Sequence, residues 1–179
     1  MTGPPADTDP PTGAGADPLA VAGAAALVAA LRGARQTVAA AESLTAGLFT
    51  AALAGVPGAS TVLRGGLVVY ATDLKHTLAG VDAELLAGLG PVAAGTAEQL
   101  AVGARTRCGA DWGVGLTGVA GPDPQGGQPV GTVFLAVAGP RHTSTQRLKL
   151  AGDRWTIRIG ATRAAVEELL RTVEAAERP

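Results

Sequence analysis

Residues 38–49, Val38-Ala39-Ala40-Ala41-Glu42-Ser43-Leu44-Thr45-Ala46-Gly47-Leu48-Phe49, pass from a short apolar run through an acid and two hydroxyls into a second apolar pattern. That order reads as strand, turn and helix. A serine at such a junction stands at the carboxyl end of a strand and the amino end of a helix. Unpaired N–H groups and the positive end of the helix dipole there favour an anion or a developing oxyanion. Taken alone, Ser43 or Thr45 reads first as a plain N-cap for a helix over residues 45–53. The rest of the chain has to shift that balance.

Outward from this stretch the chain alternates. Residues 36–41 read as a strand, and Gly55-Val56-Pro57-Gly58 as a turn. The run from Val62 to Tyr70 is apolar except at Gly65-Gly66, which predicts a central strand with a bulge or close backbone approach at the glycines. Short helices are expected over residues 73–78 and, behind an Asp82 cap, 82–89. A longer helix is expected over 96–108, where Leu100, Ala101, Ala104 and Cys108 recur at helical spacing. Residues 112–117 and 130–138 read as strands. The alternation of Leu148, Lys149 and Leu150 predicts a last, half-exposed strand. Gly152-Asp153 then opens a closing helix whose sheet-facing side is read as Trp155, Ile159, Thr162, Val166, Leu169 and Val173.

Composition bounds this pattern. The 179 residues, 47% of them hydrophobic, are enough for one domain with a sizeable core. Aromatics make up only 3%, so that core consists of Ala, Val and Leu. With 26 glycines and many alanines, helices and strands can approach closely, which suits a layered α/β protein. A net charge of −1 gives no basic footprint for nucleic acid and no polybasic membrane patch. The single Cys108 excludes an internal disulfide and a cysteine zinc site, and its expected role is that of a small buried hydrophobe. Residues 1–18 hold five prolines, three glycines and three aspartates with almost nothing apolar. They read as a disordered tail and not as a secretory signal. Residues 19–32 read as an amphipathic helix ending at Gly33, too short and too weakly apolar to span a bilayer. With no signal or anchor in view, the expected location is cytoplasmic.

Three loops follow predicted strands: Glu42 to Gly47, Tyr70 to Lys75, and Thr117-Gly118-Val119-Ala120-Gly121-Pro122-Asp123. If those strands are parallel, all three loops meet at the carboxyl edge of the sheet, where open α/β sheets bind ligands. They would bring together a hydroxyl, a lysine, a phenol and a glycine-rich run of backbone donors. A serine beside a lysine of lowered pKa is a known alternative to the Ser-His-Asp arrangement. The two histidines favour it by exclusion, since neither His76 nor His142 falls in a pattern with a serine and an acid, and His76 is assigned to the surface. No metal spacing occurs. The glycine loops match neither a phosphate-loop nor a dinucleotide fingerprint. Arg154 and Arg158, four apart near the start of the last helix, oppose its dipole. Either an anionic ligand or pairing with acids such as Asp153 or Glu42 would relieve that conflict.

Four segments in register resemble the CinA C-terminal domain family, which includes stand-alone nicotinamide mononucleotide (NMN) deamidases. They are Ala41-Glu42-Ser43-Leu44-Thr45-Ala46-Gly47; Gly65-Gly66-Leu67-Val68-Val69-Tyr70 with Lys75 and Leu78-Ala79-Gly80-Val81; Thr117-Gly118-Val119-Ala120-Gly121-Pro122; and Pro129-Val130-Gly131-Thr132-Val133. The likeness spans residues 19–176. It implies a three-layer α/β/α sandwich with a mostly parallel, mixed central sheet. It also implies hydrolysis of the NMN carboxamide to nicotinate mononucleotide and ammonia in pyridine nucleotide salvage, with no cofactor and no metal, by a cytoplasmic homo-oligomer.

Carried over by position, Ser43 is the nucleophile, Lys75 the general base and Tyr70 the phenol that assists them. Thr45, Gly47, Thr117 and Gly118 line the substrate pocket, and Arg158 helps bind substrate. Joined to the reading of the junction, this predicts that amides at the start of the helix after Ser43 hold the oxyanion. Arg158, Arg154 and the Gly118–Gly121 backbone are then candidates for the substrate's phosphate. Two departures from the family pattern stand out. Leu44 and Ala46 replace a cysteine and a glycine, and Ala71-Thr72-Asp73-Leu74 replaces Ser-Asn-Glu-Ala. They motivate one alternative, a domain that binds a nucleotide or protein partner without turnover; a further one, an amidase for another small amide, rests on pocket loops such as Asp123 to Gln128 whose shape the sequence does not give.

Overall fold

In the computed structural model the described residues are 19–177. The tail expected over residues 1–18 lies outside them. Five strands form one sheet in the order β2-β1-β3-β4-β5: β1 (Val38–Glu42), β2 (Leu63–Val68), β3 (Trp112–Gly118), β4 (Thr132–Ala138) and β5 (Thr143–Lys149). β2, β1 and β3 run parallel, whereas β4 and β5 are added antiparallel. The sheet is therefore divided. Its parallel half sends three strand ends to one edge, and its antiparallel half is a hairpin-like extension.

Six helices cover the two faces. On one side lie α1 (Ala24–Ala34), α2 (Leu48–Ala54) and α6 (Arg154–Ala176), packed over Val38 and Ala40 of β1, Val114 and Leu116 of β3, and Val133, Leu135 and Val137 of β4. On the other side lie α3 (Thr72–Thr77), α4 (Ala83–Leu89) and α5 (Ala94–Cys108), over Ala39, Ala41, Ala136 and Ala138. Small residues permit this closeness. A Cβ at Gly113 would stand 2.0 Å from the Ala101 carbonyl oxygen, and one at Gly115 2.1 Å from that of Ala97, so α5 lies directly on the β3 backbone. No helix among the described residues is long and apolar enough to cross a membrane.

Several expectations are corrected. The run after Val62 is an edge strand, not a central one, and its side chains alternate between half-buried and exposed. The irregularity expected at its glycines is present, because Val38 pairs with Leu63 and Ala39 with Gly65, which leaves Arg64 as the extra residue. α1 continues through Gly33 and stops at Arg35, which takes the left-handed conformation at φ 54°. α2 begins at Leu48, three residues later than expected, since Thr45 to Gly47 form a turn. Finally, Trp155 is half-exposed and Ile159 only partly buried, so α6 presents Ile157, Ala161, Val166, Leu169 and Val173 to the core. β5 begins at Thr143, ahead of the predicted Leu148, and α1 at Ala24, after the predicted Leu19; the remaining elements fall within two residues of their predicted bounds.

Candidate active site

Ser43 follows the last residue of β1, and its amide still donates to the Leu116 carbonyl at 2.9 Å, as if the ladder ran one residue further. The chain then turns sharply. Ala46 donates to the Ser43 carbonyl at 3.1 Å, with Ala46 at φ 50° and Gly47 at φ 96°. Glu42, on the near side of Ser43, is fully buried. Its carboxylate accepts the amides of Gly47 at 3.0 Å, Phe49 at 3.2 Å and Thr50 at 3.0 Å, together with the Thr50 hydroxyl at 2.5 Å. The acid thus serves as the N-terminal cap of α2, a role the sequence reading did not assign it. The amides of Gly47, Phe49 and Thr50 are thereby bonded to a carboxylate and are not open to an oxyanion, whereas that of Thr45, where the helix was expected to begin, is not among them. The visible signal was an acid placed just before a glycine-led helix start.

The parallel half of the sheet brings the three loops together as expected. A cavity of about 110 Å³ opens between them, lined by Ser43, Leu44, Tyr70, Lys75, Thr117 and Gly118 together with Val92, Asp123, Gln125 and the exposed Arg154. This approaches the roughly 150 Å³ of a cavity that admits one aromatic ring. Lys75 is 2% exposed and donates through Nζ to the Val69 carbonyl at 2.9 Å and the Tyr70 carbonyl at 3.2 Å. Burial pushes its pKa down to about 8, against the opposing pull of the Asp73 carboxylate. Thr117 is buried and donates its hydroxyl proton to the Pro91 carbonyl at 2.6 Å, so only its lone pairs are left for the cavity.

The two arginines separate. Arg154 lines the cavity and donates to the Gly121 carbonyl at 2.6 Å and the Tyr70 hydroxyl at 2.5 Å. Arg158 does not line it. Its Nε donates to the Leu44 carbonyl at 2.9 Å and its Nη2 to the Thr45 carbonyl at 3.0 Å, with Trp155 stacked 5.5 Å from its Cζ. Neither arginine pairs with Asp153 or Glu42; the one salt bridge among the described residues joins Arg171 and Glu168. Arg158 is therefore tied to main chain. Thr45 and Gly47 also lie off the cavity lining. Thr45 is fully buried and its hydroxyl finds no partner among the described residues. His76 is exposed, as expected, and Cys108 is only partly buried.

The departures from the family pattern are accommodated. Leu44 packs into the core between the sheet and α6, and Ala46 adopts the left-handed conformation its position requires. Ala71 precedes α3 without a side-chain cap, and Leu74 packs beside Val69 and Ala79.

Fold and site together define an α/β/α domain with a cleft at the carboxyl ends of its parallel strands, the edge at which open α/β sheets bind ligands. The chain belongs to the CinA C-terminal domain family, whose profile matches residues 21–173. A CinA-like protein of Frankia casuarinae is 49% identical over 131 residues, which is 73% of this chain and 30% of that one. A CinA-like protein of Gloeobacter violaceus is 42% identical over 165 residues, 90% of this chain and 38% of that one. The chain thus spans between 30% and 38% of the length of these two relatives. Among solved structures, the competence/damage inducible protein CihA from Agrobacterium tumefaciens superposes with a TM-score of 0.81 at 33% identity, covering 85% of this chain and 93% of that one. A CinA superfamily protein from Escherichia coli gives 0.82 at 28% identity, covering 84% and 88%.

Proposed function

We propose that the domain hydrolyses the carboxamide of NMN, releasing ammonia and nicotinate mononucleotide, with Ser43 as nucleophile and Lys75 as base. The observation that carries this reading is the buried Lys75 amine, held by two carbonyls on the wall of the cavity that Ser43 also lines. An amine with a pKa near 8 is neutral in about a tenth of molecules at pH 7, against a few in ten thousand for an ordinary lysine. Its two remaining protons match the Val69 and Tyr70 carbonyls, which leaves the lone pair to take a proton.

The steps balance as follows. Lys75 accepts the Ser43 proton as Oγ bonds to the carboxamide carbon, and the carbonyl electron pair moves onto oxygen. Collapse of that intermediate breaks the C–N bond, with the proton passing to the departing nitrogen so that ammonia leaves. Water then gives a proton to Lys75, its hydroxide attacks the ester, and the carboxylate and the Ser43 hydroxyl are regenerated. Tyr70, whose hydroxyl oxygen accepts from Arg154, keeps its own proton free for the relay to nitrogen. Thr117 offers only an acceptor, which fits the NH₂ of an amide and disfavours the carboxylate product. Arg154 at the rim suits the substrate's phosphate.

The test is product analysis after incubation with NMN. One nicotinate mononucleotide formed per ammonia supports the reading. Ammonia from another small amide but not from NMN would keep the chemistry and change the substrate.

A further inference from the structure

The turn that carries Ser43 is held from two sides, by the Glu42 carboxylate beneath α2 and by the Arg158 guanidinium from α6. Most amides of the turn are bonded: Ser43 to Leu116, Ala46 to Ser43, Gly47 to Glu42 and Leu48 to Thr45. The amides of Leu44 and Thr45 make no hydrogen bond among the described residues, although both residues are buried. A buried unpaired N–H is costly unless something occupies it. These two follow the nucleophile directly, and the amide of the residue after a nucleophilic serine is a common oxyanion donor in hydrolases built on strand–turn–helix elbows.

Arg158 bears on these amides through the main chain. A trans peptide holds its C=O and N–H pointing in opposite directions. Fixing the Leu44 carbonyl therefore fixes the direction of the Thr45 N–H, which lies in the same peptide plane. The Thr45 carbonyl does the same for Ala46, which closes the turn onto Ser43. A cation on the carbonyl also polarises the peptide and strengthens its N–H as a donor.

We propose that Arg158 is a positioning residue that, through the Thr45 carbonyl and the Ala46-to-Ser43 bond, holds the Ser43–Leu44 peptide so that the Leu44 amide on the cavity wall is the oxyanion donor, and is not a ligand of the substrate's phosphate. This rests on the acyl-transfer reading of Ser43. The experiment compares wild type with Arg158→Lys and Arg158→Met, using NMN and the phosphate-free nicotinamide riboside, and adds calorimetric binding of nicotinate mononucleotide. The expected result is a kcat lower by about 100-fold in the Met variant, equal on both amides, with KM and nucleotide affinity within about threefold of wild type. The Lys variant, which keeps a cation able to reach one carbonyl, recovers part of kcat. If the Met variant fails to fold, the Lys variant carries the same comparison. A raised KM and weakened nucleotide binding with kcat retained would overturn the proposal and restore Arg158 to the phosphate. Wild type inactive on both amides would instead overturn the underlying reading, and this inference with it.

Discussion

The Glu42 carboxylate accepts both the amide of Thr50, at 3.0 Å, and its hydroxyl, at 2.5 Å, so the acid that precedes Ser43 is bonded into the first turn of α2. A glutamine at this position keeps the shape but turns an NH₂ toward backbone donors. Glu42→Gln is expected to cost about 2 kcal/mol or more, since a hydrogen bond to a charged group contributes about 1.5–3 kcal/mol. Denaturant midpoints measure this. A midpoint equal to wild type would show that the carboxylate is not the cap that holds the turn.

Lys75 links stability to pH. Its folded pKa, about 8, lies below the ordinary value of 10.5, so between the two the unfolded chain binds more protons than the folded one. Stability is therefore expected to rise as pH increases from 8 towards 10.5, relative to Lys75→Met, which has no such group. Turnover, which needs the neutral amine, rises through about pH 8 and then levels off. A wild-type profile flat from pH 6.5 to 9 would remove Lys75 as the base.

Ala46 occupies a left-handed conformation that glycine adopts without strain. That conformation costs a non-glycine residue roughly 1–2 kcal/mol, part of which glycine's greater unfolded freedom offsets. Ala46→Gly is expected to stabilise the domain by about 0.5 kcal/mol, read as a small rise in thermal midpoint. A fall in midpoint would mean that the Ala46 methyl contributes packing.

Arg154 reaches both Tyr70 and the Gly121 carbonyl from the rim of the cavity. Arg154→Ala is expected to raise KM for NMN about tenfold while leaving KM for nicotinamide riboside near wild type, the worth of one charge-assisted contact to phosphate. Equal changes for both substrates would argue that Arg154 acts only through Tyr70.

Much of this was legible because apolar runs bounded by turn residues name strands whatever their neighbours. Three parallel strands then send Ser43, Lys75 with Tyr70, and Thr117 with Gly118 to one edge by topology alone. What was hidden depends on tertiary contacts. The strand after Val62 looks central from composition, yet its edge position follows from sheet order, which hydropathy does not encode. Thr45 has the form of an N-cap, but Gly47 at positive φ and the Glu42 carboxylate from the preceding strand displace the helix start to Leu48. Arg154 and Arg158 share a helix face, and only the approach of the Ser43 turn assigns one to the main chain and the other to the cavity.

The central claim, that Ser43 attacks an amide with Lys75 as its base, is tested most directly by ammonia release from NMN by wild type, Ser43→Ala and Lys75→Met, with chelator present. The account predicts steady release by wild type and a loss of at least about 1,000-fold in each variant, with NMN binding retained in Ser43→Ala. Ser43→Ala turning over NMN at a rate near that of wild type would contradict it.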